Sequence, residues 1–236
     1  MRNAKIIIPN LVTTANIVCG FASVLASIDG NFVAASWAII AAAVFDLVDG
    51  RLARVLNASS SFGEEYDTLS DLLSFGVAPS ILYYQCGVRG FGAFGAALAL
   101  FYLLCVAFRL ARFAIGGGAA PSAYFQGLSS PPAAATASAY VMFSNDRGLE
   151  PDLHRGLSVA VFTLLGLLMI SHLRFPSFKK MNWKSPSGTA ILIAFGALAA
   201  LALTKPALYL FPILMGFLIL VMVLDVRYRL GARSKS

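Results

Sequence analysis

The chain has 236 residues, of which 58% are hydrophobic and only 12% charged, and its net charge is +7. A soluble domain carries about 25% charged residues, so this composition excludes an ordinary water-soluble globule. The basic residues lie between apolar runs rather than in one patch, which argues for membrane topology and against a nucleic-acid partner.

The apolar runs predict an all-α integral membrane protein, a polytopic helix bundle of about eight transmembrane helices. About 20 helical residues cross a bilayer core, where backbone groups must be satisfied within helices. The predicted spans are 11–28, 32–55, 66–85, 91–115, 131–144, 153–173, 188–203 and 207–226. The first follows Arg2 and Lys5 but contains Asn10, Thr13, Thr14 and Asn16, too polar for the core of a cleavable signal peptide. It is expected to stay as a helix with a polar face, whose Asn10, Thr13 and Asn16 either line a ligand site or hydrogen-bond to other helices.

The second and third spans carry the acidic residues Asp46, Asp49, Asp67 and Asp71. The fourth ends in Arg109 and Arg112, three apart and so on one helix face. Gly116-Gly117-Gly118 lacks the Lys-Ser/Thr of a phosphate loop and reads as a flexible connection. His154 and His172 fall at opposite ends of the sixth span, too far apart to share a metal. Cys19, Cys86 and Cys105 form no CxxC pair and read as packing residues. The whole chain, 1–236, is expected to form one transmembrane domain. Residues 1–173 would be its core, and 174–236 a basic loop followed by two peripheral helices. With an even number of spans and a cytoplasmic N-terminus, 14 of the 18 Lys and Arg residues fall on the cytoplasmic side. Arg89, Arg147, Arg155 and Lys205 fall opposite. That places both termini and the acidic residues at the cytoplasmic face of a cell membrane.

An ionisable residue at membrane depth signals function by default. At about 100° per residue, Asp46, Asp49, Gly50 and Ala53 share one stripe of the second helix, and Asp67 and Asp71 share one stripe of the third. A short connection makes the two helices antiparallel neighbours. Facing stripes would bring four carboxylates together, and divalent cations that prefer oxygen ligands would compensate their repulsion. Small Gly50 and Ala53 leave room for a ligand against the helix, and Arg54 could complement phosphate charge. Such a centre suits phosphoryl chemistry.

The string Asp46-x2-Asp49-Gly50-x2-Ala53-Arg54-x8-Gly63-x3-Asp67-x3-Asp71 resembles the complete motif of the CDP-alcohol phosphatidyltransferase family. The resemblance implies a six-helix catalytic core, usually in a homodimer, with the four aspartates holding two Mg²⁺ or Mn²⁺ ions, or Ca²⁺ in their place. It implies that Asp71 takes the proton of the acceptor hydroxyl and that Gly50, Ala53, Arg54 and Gly63 shape the CDP site with Asp49. Asn10 and Thr13 would join them.

Further strings resemble the serine-using branch of the family. They are Ile8-Pro9-Asn10 through Cys19-Gly20-Phe21, Tyr66 through Pro79, Phe108-Arg109-Leu110-Ala111-Arg112-Phe113, and Phe125-Gln126-Gly127-Leu128-Ser129-Ser130-Pro131. They imply CDP-diacylglycerol and L-serine as substrates, with Arg109 and Arg112 as candidates for the serine carboxylate. Ala114 and Ser129 depart from that branch, which has Asn and Pro there. Glycerol 3-phosphate, an inositol phosphate, or serine with an archaeal lipid donor are the alternative substrates. A cation- or proton-coupled transporter is the alternative class, disfavoured because the aspartates cluster at one end and no internal repeat is present.

Overall fold

The computed structural model describes residues 2–56, 60–115, 124–176, 201 and 204–233. Predicted span 188–203, the Gly116–Gly118 connection and Lys179-Lys180 therefore lie almost wholly outside the described residues. Helix α1 (Arg2–Ile28) turns at Asp29-Gly30-Asn31 into α2 (Phe32–Val55). The turn is closed by Asn31 N–H donating to Ala26 O at 2.8 Å, and the Asn31 side chain caps Ala34 N–H at 3.2 Å. Small buried residues, Ser23, Ser27, Ala35 and Ser36, let these two helices run close together.

The third span is one continuous but irregular helical rod. It comprises α3 (Ser61–Asp71), a π-helical turn (Leu72–Val77), α4 (Ala78–Tyr83) and a second π turn (Tyr84–Val88). Pro79 explains the first π turn, because it has no N–H to continue the α-helical ladder. The Ser80 hydroxyl donates to the Gly76 carbonyl at 2.7 Å nearby. A short 3₁₀ turn (Arg89–Phe91) leads to α5 (Ala93–Ile115).

Then come α6 (Ser130–Arg147), α7 (Pro151–Ile170) and α8 (Pro206–Arg233). Two three-residue strands, β1 (Tyr124–Gln126) and β2 (Arg174–Pro176), pair antiparallel with Phe125 opposite Phe175. They lie where the sequence suggested only connections, and they tie the entry of α6 to the exit of α7. Gly127 follows with φ +77°, a conformation that L side chains rarely adopt, and its N–H donates to Leu173 O at 2.9 Å.

The expectation of an all-helical membrane bundle is met. Among the described residues, five helical segments are long and apolar enough to cross a membrane: Ile7–Ile28, Phe32–Leu52, Ala93–Ile115, Pro151–Ile170 and Pro206–Val223. The rod 61–88 and α6 fall outside that group for physical reasons. The rod is interrupted by π turns. Helix α6 is rich in Ala and Ser and sits inside the bundle, with Ala133, Ala134, Ala137, Ser138 and Tyr140 almost fully buried. A helix surrounded by protein needs small packing residues more than lipid-facing ones. The last helix, α8, packs directly on α6, where Phe211 meets Tyr140 edge-on at 5.3 Å.

At the end away from the aspartates, Tyr140, His154 and Ser158 form a hydrogen-bonded knot. The Tyr140 hydroxyl donates to His154 O at 2.9 Å, and His154 Nε2 lies 3.0 Å from Cys86 O. This ties α6 and α7 to the end of the third span and gives His154 a structural role, while His172 is exposed.

Helix α1 presses hardest on the third span at Gly20. A β-carbon built there would overlap the Ser74 side chain and backbone. Gly20→Val is expected to cost about 1–3 kcal/mol as an overpacking change, seen as a lower thermal midpoint in detergent. An unchanged midpoint would show that the helices can part at no cost.

Candidate active site

The acidic stripes meet as their spacing predicts. One carboxylate oxygen from each of Asp46, Asp49 and Asp67 lies within 4.8 Å of the other two. Asp71 joins through its carboxylate, which lies beside that of Asp46. Asp49 is 4% exposed and the other three are partly buried. Three oxygens, Asp49 Oδ2, Asp67 Oδ1 and Asp71 Oδ1, are buried with no hydrogen-bond partner among the described residues. Buried polar atoms are normally satisfied, so carboxylate oxygens converging on one place without such partners suit a positively charged ligand. The donor set is all carboxylate oxygen, which fits Mg²⁺, Mn²⁺ or Ca²⁺ and not zinc.

Local chemistry sets the two acidic helices in place. Ser60 caps α3, its hydroxyl accepting from Gly63 N–H at 3.1 Å, and its carbonyl accepts from Glu64 N–H at 3.0 Å. Helix α1 is then laced to the third span. The Thr14 and Tyr66 hydroxyls lie 3.0 Å apart, Ser70 Oγ donates to Thr13 O at 3.4 Å, and Ser74 Oγ donates to Asn16 O at 3.0 Å. Ser70 and Ser74 continue the i, i+4 spacing of the third span beside Asp67 and Asp71, so the contacts that dock α1 also fix the azimuth of the acidic pair.

The expected nucleotide residues gather around the same spot. Thr13 is buried and its side chain reaches Asp49, while also donating to Pro9 O at 3.1 Å. Asn10 Oδ1 faces Gly63, where an added β-carbon would come within 3.3 Å of it. At Gly50, by contrast, an added β-carbon would meet nothing within 4 Å among the described residues, which leave open space on this face of α2. Ala53 and Arg54 follow on the backbone of α2, but their side chains lie outside the described residues. Asn16, one turn deeper than Thr13, is fully buried, and its amide has no hydrogen-bond partner among the described residues.

The two arginines of α5 part company. Arg109 turns toward the aspartates, close enough to act on the charges of Asp46 and Asp71 but not in ion-pair contact with either. Its Nη1 donates to Ser130 Oγ at 2.6 Å. Arg112 instead reaches the end of α7, donating to Ile170 O at 3.4 Å.

Ser60, Tyr66, Ser70, Ser74 and Ser130 carry geometry that spacing alone did not assign. The i, i+4 register of Ser70 and Ser74 was a readable signal for the first helix–helix seam. Nothing local pointed to Ser130, because its partner is 21 residues away on another helix.

The family model described as CDP-alcohol phosphatidyltransferase matches residues 6–146. A CDP-diacylglycerol–serine O-phosphatidyltransferase of Helicobacter pylori is 35% identical over 191 residues, covering 81% of this chain and 81% of the relative. The Bacillus subtilis protein of the same name is 33% identical over 174 residues, covering 73% of this chain and 92% of its own. An archaetidylserine synthase of Methanothermobacter thermautotrophicus is 34% identical over 181 residues, covering 75% and 72%. With its acidic residues converged and the family match spanning more than half of its length, the chain belongs to the CDP-alcohol phosphatidyltransferase family.

Proposed function

We propose that this enzyme transfers the phosphatidyl group of CDP-diacylglycerol to L-serine, releasing CMP and forming phosphatidylserine. The observation that carries the reading is the convergence of four aspartates, three with orphaned oxygens, opposite a cation that does not neutralise them. The names of the bacterial relatives support serine as the acceptor.

Asp46, Asp49, Asp67 and Asp71 would hold two Mg²⁺ or Mn²⁺ ions. Ions held there would supply charge neutralisation for the diphosphate and polarisation of the phosphorus. The chain's own residues do the rest. Asn10, Thr13, Gly50, Ala53, Arg54 and Gly63 bind the CDP moiety, the open face at Gly50 letting it approach the α2 backbone. Arg109 takes the serine carboxylate in the gap that separates its guanidinium from Asp46 and Asp71. Asp71 accepts the proton of the serine hydroxyl as the serine oxygen bonds to phosphorus, and the bond from phosphorus to the CMP oxygen breaks. Of the two arginines, Arg109 is the stronger candidate for the carboxylate, because Arg112 is engaged with the end of α7.

The enzyme is read as a multi-pass protein of the cell membrane, working as a homodimer with its site on the cytoplasmic face, where CDP-diacylglycerol and soluble serine meet. The archaeal relative favours one second reading, the same acceptor with an archaeal lipid donor.

The deciding assay measures CMP release in mixed micelles with CDP-diacylglycerol, Mn²⁺ or Mg²⁺, and L-serine, glycerol 3-phosphate or inositol 1-phosphate in turn. Release with serine alone is expected, and release with glycerol 3-phosphate instead would overturn the acceptor. Chelation should abolish turnover and added Mn²⁺ restore it, whereas turnover in excess chelator would sink the metal reading. Asp71→Asn should lower kcat by about 10²–10⁴-fold with the thermal midpoint retained, and a near-normal kcat would remove Asp71 as the base. Arg109→Ala should raise the KM for serine far more than Arg112→Ala does, and equal effects would refute the separate roles given to the two arginines.

A further inference from the structure

The proposed acceptor pocket depends on a guanidinium that stays near two carboxylates without closing onto them. A flexible arginine beside Asp46 and Asp71 would ordinarily do the opposite. Paired bidentate contacts between guanidinium and carboxylate are among the strongest charge-assisted hydrogen bonds, and burial strengthens the attraction. Something must hold Arg109 back.

The restraint is in α6. Arg109 Nη1 donates to Ser130 Oγ at 2.6 Å, and Ser130 is fully buried. Ser130 is the first residue of α6 and is followed by Pro131 and Pro132, whose rings fix φ through the first turn. Ala133 N–H donates to Ser129 O at 3.2 Å and closes that turn. Most of α6 beyond that turn packs inside the bundle, with Ala133, Ala134 and Ala137 at 0% exposure. The serine oxygen is thus attached to a buried, proline-constrained helix start, while the arginine it holds comes from another helix.

We propose that Ser130 is a positioning residue for Arg109. It anchors the guanidinium across the pocket from Asp46 and Asp71 and so keeps open the space that takes the carboxylate of the acceptor. This rests on the reading of Arg109 as the acceptor's cation. Without the Ser130 hydroxyl, Arg109 would swing onto the aspartates, filling the acceptor site while leaving the CDP side at Gly50, Gly63 and Asn10 untouched.

The test compares the full-length wild-type enzyme with Ser130→Ala and Ser130→Thr in the CMP-release assay, varying L-serine and CDP-diacylglycerol separately. Ser130→Ala is expected to raise the KM for serine about tenfold, a typical loss for one charge-assisted hydrogen bond, with the KM for CDP-diacylglycerol within about twofold. Ser130→Thr, which keeps the hydroxyl, is expected to recover most of the loss. In an Arg109→Lys background, Ser130→Ala should add little, since the two changes break the same link. An unchanged serine KM in Ser130→Ala would overturn the proposal. So would an equal rise for both substrates, no recovery with threonine, or full additivity with Arg109→Lys. If Ser130→Ala does not fold, the threonine variant and the wild-type-to-Arg109→Lys comparison in Ser130→Thr carry the decision, and a serine KM raised as much by threonine as by Arg109→Lys overturns it. Failure of the acceptor reading shows separately, as wild-type CMP release with a different alcohol. The variants are then compared on the KM of that alcohol.

Discussion

Four carboxylates drawn together at one end of an apolar bundle repel one another, and the rest of the structure is organised around holding them there. In water such a cluster would be screened and could spread. At the edge of a membrane the dielectric is low, and separation is prevented only by helices that cannot move apart. Asp46 and Asp49 are placed by the helical pitch of α2, and Asp67 and Asp71 by that of α3. The pairs converge because α1 packs against both acidic helices and clamps the second of them from the side.

That clamp is made of hydroxyls and small residues rather than large apolar ones. Tyr66, Ser70 and Ser74 meet the polar face of α1, and Gly20 allows the backbones to approach. Between membrane helices there is little hydrophobic force to bring them together, so close packing and interhelical hydrogen bonds take its place. The same seam therefore does two things. It stabilises the bundle, and it sets the angle at which Asp67 and Asp71 face α2. The π turn at Leu72–Val77, just past Asp71, lets the rod stay helical on both sides of Pro79 without a break that would release the acidic end.

The acidic centre and Arg109 are connected through α6. Its alanine- and serine-rich surface lets it occupy the middle of the bundle, and its first residue meets Arg109. On the proposed reading, a central helix whose first residue holds Arg109 would define the acceptor side, while α1 and α2 would define the CDP side. The two substrates would then approach one acidic centre from different walls, which is what in-line displacement at phosphorus requires. The far end of the bundle, with its Tyr140–His154–Ser158 knot, is a structural fastening and shares no residue with this centre.

Much of this was written in local spacing. Apolar runs of bilayer length determined a helical membrane protein, and aspartates at intervals of three and four determined which side chains share a helix face, because both follow from the fixed geometry of one helix. The acidic motif likewise determined the family. Other features depended on contacts between distant segments, which no local period encodes. Helix α6 lacked the apolar signature of a span because protein, not lipid, surrounds it. The pairing of β1 with β2 joins segments about fifty residues apart. Arg109 and Arg112 look equivalent on one helix face, and only the packing of α6 against one and α7 against the other separates them. The sequence by itself determined the chemistry of the site, since that resides in residue types at helical intervals. Tertiary structure alone decided which cation faces that chemistry and what holds it in place, since a long side chain takes its direction from neighbours that the fold brings to it.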